Sequence, residues 1–191
     1  MPARVLGPAD FTAMPWRNGK GTTLELARED DADGAMLWRL SSADVVEAGA
    51  FSLFPGIDRI LMLTEGEGFD LDFGSHGRVA PVEPLVPVHF SGNWTTRAEN
   101  LRGPSRDLNV MVARGRATAS VGVHRDAMRT TSLADYCMML ALAGTFAVTV
   151  GSDEFMLAPS HLLLVRGEKG RRATTSGSGV LMQVDINARH S

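Results

Sequence analysis

Three arginines, placed beside turns or on a polar strand face, are the residues of this chain best suited to binding chemistry. Arg59 follows the aromatic turn FSLFPG with Asp58 beside it, and Arg39 falls on the polar face of an alternating strand. An arginine presents a planar fork of donors that matches a carboxylate. Two of them near one mouth suit a dicarboxylate or an N-acyl amino acid. The predicted ligand-binding residues are Arg17, Asn18, Arg39, Ser41, Asp58 and Arg59.

Each of these residues also has a purely structural interpretation. Arg59 could form an ion pair with Asp58 or Asp107, and Arg39 could pair with Glu25 across a hairpin. The strand face that carries Arg39 could be a solvent-exposed row, as in many antiparallel sheets. The Asn-Gly turn beside the first arginine could serve only to fix strand register. The sequence leaves both interpretations open.

The histidines and the cysteine give no catalytic or metal-binding pattern. A metal site needs three convergent imidazole or carboxylate ligands at about 2 Å, and no two histidines form an H-x-H pair. Cys137 lies in an apolar strand, as expected for an inert buried thiol. Ser41 and Ser42 lack the G-x-S-x-G elbow of a nucleophilic serine. We therefore predict no metal, no cofactor and no catalytic residue.

Short strands with alternating side chains must position these residues. No stretch keeps a 3.6-residue period over three turns, so the pattern favours an all-β fold whose edges close into one or two barrels. The segments 97–106 and 167–179 are polar and Gly-containing and are predicted to be surface loops. Strands are predicted over residues 22–27, 36–43, 60–63, 69–73, 108–113, 136–143, 145–150, 154–157, 161–165 and 180–186.

An internal repeat relates the two halves of the chain. Leu63–Pro84 and Leu140–Pro159 share the order apolar strand, Gly, Phe-led alternating strand, Gly-Ser turn and Pro, at an offset of about 77 residues. Two generic hairpins that coincide are the alternative explanation. A duplicated β-unit predicts two small barrels, over residues 15–115 and 116–188 approximately.

Bulk composition excludes several classes of protein. The 191 residues carry a net charge of -3 without a basic stripe, so we expect no nucleic-acid partner. One cysteine excludes an internal disulfide. The N-terminus has no signal-peptide pattern, and the longest apolar run, Cys137–Ala143, is far shorter than the roughly 20 residues of a membrane span. We expect a soluble cytoplasmic protein with no membrane partner.

Five blocks in the same order carry a resemblance to the HutD/Ves family: PWRNGKGTT, WRLSSA, FSLFPGIDR, LTEGEG and DLNVM. The resemblance implies a bicupin, with two cupin-like, jelly-roll type β-barrels in one chain and a possible homodimer. It also implies a regulatory, non-enzymatic role in histidine utilisation and a small acidic ligand such as N-formylglutamate. The block FSLFPGIDR has no counterpart in the C-terminal half, which places the predicted site in the first barrel.

Two other functions remain open at this point. The first is a cupin-type enzyme, either a metal-independent isomerase or a metal enzyme whose ligands are not recognisable in the sequence. The second is a structural or partner-binding module, which would have no concave polar pocket around Arg59.

Overall fold

The computed structural model describes residues 3–15, 21–125 and 129–189, and its regular structure is almost entirely β-strand. Two single turns of 3₁₀-helix, Pro8–Asp10 and Gly74–His76, are the helical elements of these ranges. No helix in the described ranges is long and apolar enough to cross a membrane. The all-β prediction is confirmed.

The chain divides into two compact units, Thr12–Arg116, called the first unit, and Met1–Phe11 with Ala117–Ser191, called the second unit. The strands of the first unit are β2 (Thr12–Pro15), β3 (Thr22–Asp30), β4 (Met36–Val45), β5 (Gly49–Ala50), β6 (Ile57–Gly66), β7 (Asp70–Asp72), β8 (Arg78–Val79), β9 (Val88–Ser91), β10 (Arg97–Glu99) and β11 (Ser105–Ala113). The strands of the second unit are β1 (Ala3–Leu6), β12 (Ala117–Arg125), β13 (Arg129–Ser132), β14 (Tyr136–Val150), β15 (Asp153–Leu157), β16 (Leu162–Arg166) and β17 (Arg172–Ala188).

The first unit contains two antiparallel sheets that share one apolar core. The six-stranded sheet has the order β2-β3-β4-β11-β6-β9, and the four-stranded sheet has the order β5-β10-β7-β8. Leu61 and Phe90 from the larger sheet and Leu71 and Ala98 from the smaller one belong to the same buried cluster. The alternation of side chains along each strand therefore directs one face of each sheet toward this core.

The second unit is a single seven-stranded sheet built around its two longest strands. Its main order is β1-β16-β14-β17-β12, with β13 joined to β17 and β15 joined to β14. The register of β14 with β17 shifts between Ala141 and Ala143, and such a bulge bends a strand. Phe146, Leu163 and Leu181 belong to the apolar cluster of this unit.

Two segments predicted as loops are partly strands. Residues 97–106 contain β10 and the start of β11, and residues 167–179 contain the first half of β17. The Gly/Ser composition of the latter reflects close backbone approach, because a Cβ on Gly177 would lie 2.3 Å from the Thr145 carbonyl oxygen. The strands predicted at 136–143 and 145–150 form one continuous strand, β14.

The ladders among the described residues form three sheets and do not close into a barrel. In the first unit the two sheets meet through side chains of the shared core, without a hydrogen-bonded ladder between them. Packing of sheets face to face buries the same apolar surface as closure would, which the alternation pattern alone cannot distinguish.

Candidate functional site

A cavity of about 610 Å³ lies within the first unit. One wall is the inner face of the six-stranded sheet, and the rim includes the segment from Glu47 to Phe54, which contains β5. The described residues that line it are Met14, Pro15, Thr23, Arg39, Ser41, Ala43, Val45, Glu47, Ala48, Gly49, Ala50, Phe51, Ser52, Phe54, Arg59, Ala98, Asn109 and Met111.

The polar face of β4 forms part of this wall. Arg39 and Ser41 alternate with Trp38 and Leu40, so the first pair lines the cavity while the second pair is fully buried. Ser41 lies opposite Asn109 in the ladder of β4 with β11, which joins the polar residues of the two strands into one surface.

Arg59 is a buried cation at the base of the cavity. It lies on β6 opposite Phe90, and its exposed fraction is 5%. Its Nη2 donates a hydrogen bond of 2.6 Å to Oδ1 of Asn109. Its Nε is fully buried and has no hydrogen-bond partner among the described residues, so one donor of the guanidinium is left unsatisfied.

Three phenylalanine rings surround this guanidinium. The Cζ atom of Arg59 lies 5.5 Å from the ring centre of Phe51, 5.4 Å from that of Phe54 and 4.8 Å from that of Phe90. Such contacts stabilise a partly desolvated cation by about 1 kcal/mol each. They also limit the directions from which another group can reach the guanidinium.

Backbone contacts hold the aromatic segment at the rim. The amide of Phe51 donates to the Thr96 carbonyl, and the amide of Phe54 donates to the Gly92 carbonyl at 2.8 Å. A Cβ at position 92 would lie 2.4 Å from the Phe54 carbonyl oxygen. Glycine is therefore required at position 92 for the segment to approach the sheet this closely.

Asp107 lies behind Asn109 and is completely buried. Its Oδ1 accepts a hydrogen bond of 2.7 Å from Nδ2 of Asn109, so Asn109 connects it to Arg59. Its Oδ2 has no partner in the described ranges. Burial raises the pKa of Asp107 to about 7, because loss of hydration outweighs the attraction of Arg59.

The charge of Arg59 is incompletely balanced. Burial lowers the pKa of Arg59 to about 10, with Asp107 acting in the opposite direction, so the guanidinium is charged at neutral pH. Within the described ranges Arg59 forms no ion pair, and Asp107 is linked to it only through Asn109. Asp58 pairs with Arg114 instead. A buried cation with a partly protonated neighbour attracts an anion.

Arg39 is balanced more fully than Arg59. Its Nε lies 3.4 Å from Oε2 of Glu25 on the neighbouring strand β3, which confirms the pairing that the sequence left open. Burial lowers the pKa of Arg39, and Glu25 opposes this effect. Arg39 therefore contributes donors to the cavity wall but little net charge.

Comparison with known proteins identifies the family of this chain. The model of the HutD family matches residues 8–182. The chain belongs to the HutD family. An uncharacterised 21.2 kDa protein from the hutC 3′ region of Pseudomonas putida is 33% identical over 156 residues, which are 79% of this chain and 80% of that relative. Protein Ves of Citrobacter koseri is 36% identical over 118 residues, 60% of this chain and 61% of that relative.

Solved structures agree with this family assignment. HutD from Pseudomonas fluorescens superposes with a TM-score of 0.84 at 27% identity and covers 98% of this chain and 100% of that one. Oxalate decarboxylase from Bacillus subtilis has a TM-score of 0.68 at 8% identity, over 98% of this chain and 78% of that one. The latter shows a cupin-like fold alone. HutD membership supports the link to histidine utilisation.

The structure does not bring all six predicted site residues together. Arg39, Ser41 and Arg59 line the cavity. Asp58, the next residue along β6, is absent from its lining, and its Oδ1 accepts a hydrogen bond from Nε of Arg114 at 2.8 Å. This separation follows from strand alternation. Arg17 and Asn18 lie outside the described residues of this HutD-family chain.

Sequence reasoning named Asp107 as a possible ion-pair partner of Arg59 but did not identify Asn109, which accepts the hydrogen bond from Arg59. Asp107 and Asn109 alternate with Leu108 and Val110 in an otherwise apolar strand. Polar residues at a period of two signal a polar inner face, so this pattern could have identified them. The ring of Phe90 carries no comparable signal, because its contact with Arg59 depends on the pairing of β9 with β6.

The described ranges contain no group of three histidine, cysteine, aspartate or glutamate residues that could hold a metal ion. The described residues that line the cavity also include no histidine or cysteine. The absence of a metal and of a cofactor stays a prediction for this HutD-family protein.

Proposed function

We propose that this protein is a non-enzymatic regulatory protein of histidine utilisation that binds a small anionic metabolite, similar to N-formylglutamate, in the cavity of the first unit. The observation that carries this proposal is Arg59. It is 5% exposed, lines the cavity and keeps its Nε without a partner in the described ranges. Burial of a cation is costly unless an anion compensates it.

The charges around the cavity favour one carboxylate at Arg59. Arg39 and Glu25 neutralise each other on the neighbouring strands. Asp107 has a pKa of about 7 and compensates Arg59 only in part at neutral pH. A ligand carboxylate bound at the Arg59 guanidinium would complete the balance with a charge-assisted hydrogen bond.

The dimensions of the cavity also suit a small metabolite. A volume of about 610 Å³ lies within the range of roughly 300–1,000 Å³ for small-molecule pockets. Polar groups of Arg39, Ser41 and Asn109 occur on one wall, and Phe51 and Phe54 contribute apolar surface. An N-acyl amino acid has both a carboxylate for the cation and an amide for the polar wall.

Binding rather than catalysis is supported by the kinds of residues present. The described lining residues include no imidazole and no thiol, and Glu47 is the one carboxylate among them that could act as a general base. We further propose a cytoplasmic bicupin with cupin-like barrels at about 15–115 and 116–188, able to form a homodimer. Arg17 and Asn18 remain proposed contributors to the mouth of the site, whereas Asp58 pairs with Arg114 away from the lining.

Thermal-shift measurements with N-formyl-L-glutamate, formiminoglutamate and urocanate at millimolar concentration test this proposal. A ligand at 100 times its Kd stabilises the folded state by about 2.7 kcal/mol. We expect N-formyl-L-glutamate to raise the Tm. Absence of stabilisation by all three compounds would overturn the proposal, and a stoichiometric transition metal in the purified protein would favour an enzyme.

A further inference from the structure

Asp107, Asn109 and Arg59 form a continuous hydrogen-bonded series from a buried carboxyl group to the cavity. Nη2 of Arg59 donates to Oδ1 of Asn109 at 2.6 Å, and Nδ2 of Asn109 donates to Oδ1 of Asp107 at 2.7 Å. Only Arg59 and Asn109 line the cavity, while Asp107 is fully buried. The carboxyl group can therefore respond to charge at Arg59 without touching a ligand.

The groups that act on Asp107 are few. It lies opposite the uncharged Ala43 of β4 and the uncharged Leu63 of β6. Among charged residues, Arg59 of β6 attracts its ionised form and Asp44 of β4 repels it. The four-stranded sheet contributes the uncharged Ala98 to the cavity wall.

Arg39 also lies on β4, and it forms an ion pair with Glu25 of the next strand, β3. Their charges largely cancel at the distance of Asp107. Arg59 is thus the principal charge that holds Asp107 in its ionised form, and it is also the charge that an anionic ligand would neutralise.

We propose that the cavity binds its anionic ligand together with a proton, which the Asp107 carboxylate takes up from solvent. This inference rests on the proposed function of the cavity. A carboxylate at Arg59 cancels the positive field that favours ionised Asp107, and it displaces water from the site. Both effects favour the neutral carboxyl group, so ligand and proton bind cooperatively, and each raises the affinity for the other by the same factor.

The direction of the pH dependence follows from this linkage. Asp107 has a pKa of about 7 in the free protein. Below this pH the carboxyl group is protonated with and without ligand, and affinity is highest. Above it, binding must first restore the proton, so affinity falls as pH rises. Each unit by which the ligand raises the Asp107 pKa corresponds to about a tenfold loss of affinity at high pH.

Isothermal titration calorimetry of the full chain with N-formyl-L-glutamate tests the proposal. Titrations at pH 7.5 in buffers of different ionisation enthalpy give the number of protons taken up. The ligand carboxylates have ordinary pKa values of about 4 and do not titrate here. We expect uptake of roughly half a proton per ligand at this pH and a Kd about tenfold higher at pH 8.5 than at pH 6.

Substitution of Asp107 shows whether the proton taken up on ligand binding goes to this residue or to another one. Asp107→Asn should bind with no proton uptake and a Kd that does not change between pH 6 and pH 8.5. Glu65→Gln, which changes an exposed carboxylate paired with Arg106, should retain the wild-type uptake. If Asp107→Asn does not fold, the carboxyl ¹³C shift of Asp107 in the wild type gives the same information, because the ligand should raise its titration midpoint.

The outcomes distinguish this inference from the proposed function. Binding with a pH-independent Kd, or unchanged proton uptake in folded Asp107→Asn, would overturn proton coupling and leave ligand binding intact. If saturation with the ligand left the titration midpoint of Asp107 unchanged, proton coupling would likewise be overturned and ligand binding left intact. Absence of N-formyl-L-glutamate binding throughout pH 6–8.5 would overturn both.

Discussion

The inner faces of the two units present different chemistry on corresponding strand ladders. In the first unit the bulge of β6 falls at Thr64, and in the second unit the bulge of β14 falls at Leu142. Five residues before each bulge the chain carries Arg59 in the first unit and Cys137 in the second. One face is therefore cationic and lines a cavity, while the other carries a thiol in an apolar cluster.

The neighbouring strands extend this correspondence. Asn109 of β11 lies opposite Leu61, and Gln183 of β17 lies opposite Met139, at equivalent places in the two ladders. Asn109 accepts a hydrogen bond from Arg59, whereas Gln183 donates a hydrogen bond of 2.7 Å to Asp185. The same arrangement of strands supports both faces, so the capacity to bind an anion depends on side-chain identity and not on the ladder.

Removal of the cation should abolish anion binding by the first unit, which distinguishes it from the second. Arg59→Met should weaken N-formyl-L-glutamate binding by at least about 30-fold, because loss of one partner of a buried charge pair costs about 2–5 kcal/mol. Calorimetry measures this loss. The control is the corresponding change in the other unit, Cys137→Ala, which should leave Kd unchanged. Equal weakening by both substitutions would contradict a site confined to the first unit.

A second contrast concerns stability in acid. Asp70 of the first unit is buried and accepts hydrogen bonds from Asn100, Arg102 and Arg78, which lower its pKa. At the equivalent position of the repeat, the second unit has the uncharged Ala147. Asp70→Asn should reduce the free energy of unfolding by about 2 kcal/mol at pH 7, the scale of hydrogen bonds to a charged group. Urea unfolding measures this difference.

The pH dependence of that difference has a definite sign. Because the pKa of Asp70 is lower in the folded state, its contribution is complete above the unfolded value of about 4 and decreases as pH falls below it. The difference in free energy of unfolding between wild type and Asp70→Asn should therefore be smaller at pH 3 than at pH 7. Exposed Glu67→Gln is the control and should change stability by less than about 0.5 kcal/mol. A gap that widens in acid would contradict this account of Asp70.

Arg39 should matter less than Arg59, because Glu25 already compensates it. We expect Arg39→Gln to weaken N-formyl-L-glutamate binding about fivefold, which corresponds to about 1 kcal/mol. Parallel calorimetry of Arg39→Gln and Arg59→Met gives the ranking. A larger loss for Arg39→Gln would move the principal anion contact from β6 to β4.

The thiol of the second unit should remain inert. Burial raises the pKa of Cys137, and Asp185 acts in the same direction. Reaction with a thiol reagent such as DTNB should be at least about 100-fold slower in the folded protein than in urea, because the thiolate is the reactive form. Saturation with N-formyl-L-glutamate should slow the labelling of Cys137 only to the extent that the ligand stabilises the folded state. Rapid labelling of folded protein would show that this face is accessible.

The sequence was most informative where one strand face is regular. Alternation identified the polar face that carries Arg39 and Ser41. It missed the first half of β17, because Gly177 and Gly179 resemble loop residues and their packing against β14 is visible only in the fold. Asp58 and Arg59 were treated as one pair, although adjacent strand residues point to opposite faces.

The partners of Arg59 depend on contacts between distant parts of the chain. Asn109 is 50 residues away in sequence. The alternation along β11 indicates a polar face there, but it does not specify which of its residues contacts Arg59. The raised pKa of Asp107 depends on burial by neighbouring strands, which composition does not report. The resemblance to the HutD/Ves family supplied the cupin-like fold and the proposed class of ligand. The geometry adds that Glu25 pairs with Arg39, whereas no carboxylate in the described ranges forms an ion pair with Arg59.

A crystal structure of the protein with N-formyl-L-glutamate tests the central claim most directly. We predict a ligand carboxylate in the cavity of the first unit, within about 2.7–2.9 Å of the Arg59 guanidinium, as charge-assisted hydrogen bonds require. The corresponding position at Cys137 should hold no ligand. A ligand bound elsewhere while the cavity contains only water would contradict the account.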